Sequence, residues 1–203
     1  MTSPQSKRIR TIFALVITVF SVAAFALVIG KDSGSSDSGS SNSGSSNSGT
    51  GDSTKALSSS EIDFLTMMIP HHEQAIEMSE LALTRSDDDE VLQLAEQIKN
   101  AQGPEISQMR SLLQEFGIEE NPSSHAAHMH GMLTDNEMRE LETANGSAFD
   151  RLFLTGMIKH HEGAIDMVAL VGDSQRLSSL GEAIFTAQND EITKMQEMLA
   201  RKG

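Results

Sequence analysis

One block of sequence occurs twice, and the duplication limits what the chain can fold into. Phe64-Leu-Thr-Met-Met-Ile-Pro-His-His-Glu-Gln-Ala-Ile-Glu-Met78 aligns with Phe153-Leu-Thr-Gly-Met-Ile-Lys-His-His-Glu-Gly-Ala-Ile-Asp-Met167 at an offset of 89. A second block, Ala101-Gln102-x-x-Glu105-Ile106-x-x-Met109, aligns with Ala187-Gln188-x-x-Glu191-Ile192-x-x-Met195 at an offset of 86. The connection between the blocks is therefore three residues shorter in the second copy. Each pair of blocks carries apolar residues at helical spacing, so each copy reads as a helical hairpin with one apolar stripe. Two such hairpins bury their stripes most economically against each other. The predicted fold is all-α, a four-helix bundle with pseudo-twofold symmetry.

Local signals set the helix limits. Ser58-x-x-Glu61 and Thr134-x-x-Glu137 are capping boxes. They predict a helix over 59–84 and a short helix that Asn145-Gly146 closes. Further helices are predicted over 88–116, 147–171 (with Gly172 as a stop) and 175–201. Pro70 and Gly103-Pro104 fall inside the first hairpin, where the second has Lys159 and Asn189-Asp190. A helix-interior proline removes a hydrogen bond, so kinks are expected only in the first hairpin, or its first helix begins at Pro70.

The chain divides into three parts. Residues 1–30 hold Lys7, Arg8 and Arg10 followed by the apolar run Thr11–Ile29. At ~1.5 Å per residue that run nearly spans a ~30 Å hydrocarbon core. The positive-inside rule keeps the basic end cytoplasmic and exports the rest. It is read as a single-pass membrane anchor, the alternative being a signal peptide cut after Ala24-Phe25-Ala26, giving a secreted or periplasmic protein. Residues 31–57 form a Ser/Gly-rich linker with almost nothing to bury. Residues 58–203 form the duplicated domain: a first hairpin over 58–120, a His/Met loop and short helix over 121–146, and a second hairpin over 147–203.

Net charge is −14, and the first 30 residues carry three cations and no acid, leaving −17 for the rest. That argues against nucleic acid as a partner and suits solubility and attraction of cations. The absence of Cys excludes disulfides, thiolate zinc sites and cysteine catalysis. Twelve Met and seven His in such a chain point toward soft-metal chemistry, although Met is also a common core filler. No nucleophile–base arrangement, P-loop or dinucleotide fingerprint is present, so no catalytic residue is assigned and the chain is not read as an enzyme.

A helical wheel places the candidate ligands. With Phe64 at zero, Met68, His71, Ala75 and Met78 share the centre of the apolar stripe; His72 lies on its shoulder, and Glu73 and Glu77 face solvent. Met157, His160, His161, Met167, Glu162 and Asp166 repeat the layout. In the second block Gln102, Ile106 and Met109 share a stripe flanked by Glu105, as do Gln188, Ile192 and Met195 with Glu191. The glutamines are natural partners for inward histidines, with the glutamates as further supporting groups. A lone inward His is ordinarily a satisfied core residue, and inward Met is ordinarily packing. Joint recurrence at fixed spacing favours a metal site, although duplication alone would also produce it. Thioether with imidazole points to copper, as Cu(I) or Cu(II), or to silver as its mimic; zinc through His is the alternative. A ferritin-type di-iron site fits poorly, because no Glu stands three residues before His71, His72, His160 or His161. The loop residues His125, His128, Met129, His130 and Met132 form a second candidate metal site, a collecting arm for the bundle. Its bland reading is a solvated loop.

The twin Met-Ile-x-His-His-Glu-x-Ala-Ile-acid-Met blocks resemble the bacterial family called domain of unknown function 305. So do His130-Gly131-Met132-Leu133-Thr134, Phe149-Asp150-x-x-Phe153-Leu154 and the Ala-Gln-x-x-Glu-Ile-x-x-Met blocks. The resemblance covers about 60–203. It implies a ferritin-like, exported helical bundle that binds copper or silver through Met and His. It implies as ligands Met68, His71, His72, Met78, Met157, His160, His161 and Met167. The family often carries Trp three residues after the second-block Met, where this chain has Leu112 and Met198. The reading is an extracytoplasmic copper-sequestering protein. The alternatives are a metal-dependent redox enzyme on the same frame and a metal-free structural or sensory module. A homo-oligomer or a metal-handover partner is compatible with the sequence but not identified by it.

Overall fold

A computed structural model describes residues 56–120 and 129–202. The predicted anchor, most of the linker, and His125 and His128 lie outside the described residues. Among the described residues no helix is long and apolar enough to cross a membrane.

The described part is entirely helical: α1 (Ser59–Arg85), α2 (Asp89–Glu115), α3 (Asp135–Thr143), α4 (Gly146–Val168) and α5 (Ser178–Lys202). α1 opens with a reciprocal capping box, in which Glu61 N donates to Ser58 Oγ (3.3 Å) and Ser58 N to Glu61 Oε2 (2.8 Å). Asp88 caps α2 through its carboxylate, which accepts from Glu90 N and Val91 N. Thr134 and Glu137 repeat the capping box at α3. There Glu137 accepts from Thr134 and from Lys159, and its carboxyl is held down at about 2.

Two boundaries differ from expectation. α4 gives way at Val168 to a single 3-10 turn, Ala169–Val171, the tightening common at helix ends. α5 begins at Ser178 rather than 175, because Ser174 closes a turn by accepting from Leu177 N (3.0 Å). α1 runs unbroken from Ser59 through Pro70, so it does not begin at the proline. Pro70 is half-buried and Pro104 exposed. Both lie off the core face, where the carbonyl each leaves unbonded can be solvated.

α1 packs along α2, α4 along α5, and the hairpins meet through α1 against α4. Long side chains close the bundle between α2 and α5: Lys194 reaches Gln97 and Arg201 reaches Glu90. The first helix of each hairpin (α1 and α4, the A-type helices, as against the B-type α2 and α5) carries an acid near its start that also bonds to the opposite hairpin's turn. Glu61 accepts from Ser174 (2.5 Å), and Asp150, 89 residues on, accepts from Ser86 (2.6 Å). These two matched contacts sit where the repeat predicts equivalent roles.

The core is in two pieces. One gathers Met78, Leu94, Ile98, Phe149, Phe153, Met157 and Met195, with Phe149 and Phe153 stacked 5.8 Å apart. The other gathers Phe64, Met68, Ile106, Met109, Met167 and Ile184. Each fully buried side chain of this size contributes roughly 1.5–3 kcal/mol. Along α1, α2, α4 and α5 the interruption between the pieces falls at His71-His72, Gln102-Glu105, His160-His161 and Gln188-Glu191. A polar layer therefore crosses the bundle, with two residues from each helix.

Candidate metal centre

The four histidines of the layer are fully buried. His71 and His160, the wheel-central pair, face each other across the α1–α4 contact with ring centroids 3.7 Å apart. No nitrogen of either ring makes a well-formed hydrogen bond, although the His130 backbone approaches the His71 ring and the His71 backbone the His160 ring. Burial, reinforced by neighbouring His72, pushes the His71 imidazolium down to about 3. Burial, with His71, His161 and His72 adding to it, likewise holds His160 well below its ordinary range. Both rings are therefore neutral near pH 7 and keep a lone pair, the form in which imidazole ligates metal.

His72 and His161 are more deeply placed than the shoulder of a helical wheel implies. Each A-type helix is covered on two sides, by the opposite hairpin and by its own partner helix. The shoulder faces the latter. His72 Nε2 lies 2.8 Å from Glu105 Oε2 on α2, and His161 Nε2 lies 2.6 Å from Glu191 Oε2 on α5. Nδ1 of each ring is buried without a partner. The expectation that Gln102 and Gln188 hold the histidines is corrected by these contacts. Both Gln102 amide atoms and Gln188 Oε1 are themselves unpartnered, and the glutamates serve as the partners. A glutamate one turn past each glutamine reaches the shoulder position, whereas the amide does not reach either ring.

All nine unpartnered buried side-chain nitrogen and oxygen atoms among the described residues belong to this layer. Leaving such an atom unsatisfied costs about 1–3 kcal/mol. The protein thus concentrates its unmet hydrogen-bonding capacity in one plane, between two otherwise apolar clusters.

The thioethers flank that plane. Met68, Met109 and Met167 lie in the cluster on one side, and Met78, Met157 and Met195 in the cluster on the other. The wheel places two inward Met on each A-type helix. Packing then sorts them, so each side receives one Met from α1, one from α4 and one from a B-type helix. Met198, at the position where the family often has Trp, is buried in the second set's cluster. Among the described residues no group of three or more His, Asp or Glu is placed to hold a metal ion by itself. The donor set is imidazole, amide and thioether, which fits a soft ion.

Of the second candidate set, Met129 is buried, Met132 half-buried and His130 exposed. These residues do not form a free arm. Residues 129–133 lie as a strap against α1 and α4. Gln74 binds Leu133 twice, donating to its carbonyl (3.0 Å) and accepting from its N–H (2.8 Å). His130 Nδ1 pairs with Asp166 at 2.6 Å. Gly131, at φ +89, and Gly163 touch backbone to backbone; a Cβ on Gly163 would run into the His130 carbonyl. Sequence reasoning missed this contact. Its signal was the mismatch of Gln74 with Gly163 inside an otherwise repeated His-His-Glu-x-Ala stretch. A surface cleft of about 470 Å³ lies beside the strap, lined in part by Met129, Met132 and Gln74.

Comparison with known proteins agrees with this architecture. The structure superposes on a DUF305 protein of Streptomyces coelicolor, described as a candidate secreted protein, with a TM-score of 0.66 and 30% identity, covering 71% of this chain and 92% of that one. A DUF305 fragment of Deinococcus radiodurans gives 0.68 and 31%, covering 72% and 99%. CopM in its Cu(II)-bound form gives 0.62 and 32%, covering 70% and 96%. CopM has also been solved in Cu(I)-bound and Ag-bound forms. Comparison with curated proteins gives no match. The model of the domain of unknown function DUF305 matches residues 61–199. That span begins three residues before the first repeated block and contains both hairpins with their polar layer, and by it the chain belongs to the DUF305 family.

Proposed function

We propose that this protein binds copper outside the cytoplasm, taking the ion as cargo into the polar layer and the thioethers beside it, without catalytic turnover. One observation carries the reading: His71 and His160 present four ring nitrogens, none in a well-formed hydrogen bond, at the centre of a bundle whose flanking clusters each include three of the candidate Met ligands. The residues fit the ion. Neutral imidazole and thioether suit a soft ion, and neither can form a disulfide as a thiol would. Copper and silver binding by CopM, at about 30% identity, supports the assignment, and the Streptomyces relative supports export. Thr11–Ile29 would hold the domain at the membrane's outer face. Complete burial of the four histidines leaves no exposed face at which an organic substrate could meet them, which favours binding of an ion over turnover of a larger substrate.

His71→Leu/His160→Leu tests the reading while keeping core volume. The apo variant should be at least as stable as the parent, because orphaned polar atoms are replaced by apolar ones. A Cu(I) or Ag(I) titration that raises the parent's Tm should leave the variant's Tm unchanged. Unaltered copper affinity in the variant would sink the assignment, as would Zn(II) displacing Cu(I) in direct competition.

A further inference from the structure

The two kinds of histidine in the layer are held differently, and the difference specifies which atoms can take an ion. His71 and His160 make no well-formed hydrogen bond at either ring nitrogen. His72 and His161 each place Nε2 against a carboxylate, at 2.8 and 2.6 Å. An ionised carboxylate only accepts, so Nε2 must carry the hydrogen. In the neutral ring Nδ1 is then left as a lone pair. In both copies that Nδ1 is buried and without a protein partner. Glu105 and Glu191 keep some exposure, 18% and 16%, while the rings they hold have none. Each carboxylate therefore sits at the water-facing end of a dyad whose other end, Nδ1, is buried without a partner.

We infer that Glu105 and Glu191 are positioning residues that lock His72 and His161 as Nε2–H tautomers and so leave Nδ1 of each ring free to ligate an ion taken into the layer. The inference rests on the copper reading above and adds the ligating atom and its support. The glutamates touch no ion themselves. They fix ring orientation and tautomer in advance, and a carboxylate one ring away raises the basicity of the ligating nitrogen. The pseudo-twofold repeat supplies two such dyads, one per hairpin.

Two measurements on the full chain test this. The first is ring ¹⁵N chemical shifts of the metal-free protein. His72 and His161 should both show a protonated Nε2 and an unprotonated Nδ1; an Nδ1–H tautomer at either would overturn the inference without any metal being present. The second is Cu(I) affinity of Glu105→Gln/Glu191→Gln. Glutamine is nearly isosteric but can donate as well as accept, so the tautomer is no longer enforced. Affinity should fall about 10–100-fold, the usual effect of removing such support, with the ¹⁵N pattern becoming mixed and thermal unfolding staying cooperative. Should the double variant not fold, the single Glu105→Gln variant carries the same readouts for His72. A parent that binds Cu(I) beside a variant of equal affinity overturns the inference and leaves the copper reading standing. A parent that binds no copper overturns both, while the shifts still report the tautomers.

Discussion

The two hairpins are nearly the same device, and they part company where a third element touches them. Both carry His-His on the A-type helix and Gln with Glu on the B-type helix, and both form the same His–Glu dyad. Their main differences lie elsewhere. The first has prolines at 70 and 104 where the second has Lys159 and Asp190. The first has Gln74 where the second has Gly163, and the strap 129–133 crosses both of these positions. One equivalent position reaches out to the strap with an amide; the other withdraws its side chain so that the strap can settle on the helix backbone. Duplication has retained the donors of the layer and relaxed where the single, unduplicated strap imposes asymmetry.

The sharpest way to break this asymmetry is Gly163→Ala. Helix propensity alone favours alanine over glycine by about 1 kcal/mol. Here the new methyl would meet the His130 carbonyl, which is backbone and cannot swing aside. Overpacking costs roughly 1–3 kcal/mol; a Cβ driven into a backbone oxygen belongs at the upper end of that range, and the strap lies directly over the histidine layer. We expect a net loss of about 2 kcal/mol in urea unfolding, with faster amide exchange over 129–133. A variant as stable as the parent would mean that the strap is not held where the structure puts it.

Acidification probes what the hairpins share. His71 titrates near 3 when folded, against about 6.5 when unfolded, and His160 is displaced in the same direction. The unfolded chain therefore binds protons that the folded chain refuses. Stability contributed by these two groups is complete above pH 6.5 and falls as pH drops from there toward 3. For His71 the loss at pH 5 is about 2 kcal/mol. Urea unfolding of the metal-free protein at pH 7 and pH 5 should show it. The loss should shrink in His71→Leu and shrink similarly in His160→Leu, since the repeat gives the two rings the same burial. An identical pH 7 to pH 5 difference in parent and variants would show that these rings are not the buried neutral groups described.

How far the sequence reveals this molecule depends on which interactions set each feature. The hairpins, caps and inward His71, Met68 and Met78 follow from local periodicity, and all five helices lie close to their predicted places. The duplication made the bundle legible, because two amphipathic hairpins have few other partners. What stayed hidden depended on neighbours. A wheel treats a helix as half-exposed, so it put His72 and His161 on a shoulder; α1 and α4 are covered from two directions, and that shoulder is core. The wheel also cannot rank Gln102 against Glu105 as a partner for His72, because that choice depends on the stagger of α1 and α2. The sorting of six thioethers onto two sides of the layer comes from the antiparallel meeting of the hairpins, information that no single segment contains.

Gln74→Ala is the gentler counterpart of the glycine substitution. Gln74 ties the strap by two hydrogen bonds to Leu133, at 2.8 and 3.0 Å. A typical bond of this kind contributes about 1 kcal/mol net. The Leu133 backbone groups lie at the edge of a surface cleft, where water can replace part of what the amide supplied. The expected loss in urea unfolding is therefore about 1 kcal/mol, less than for Gly163→Ala, although two bonds are removed and no clash is introduced. If the two losses proved equal, the strap would be held as strongly from the first hairpin as from the second. If only the glycine substitution mattered, backbone packing on α4 would be its principal anchorage, and the amide at 74 merely an accompaniment to a contact made on the other helix.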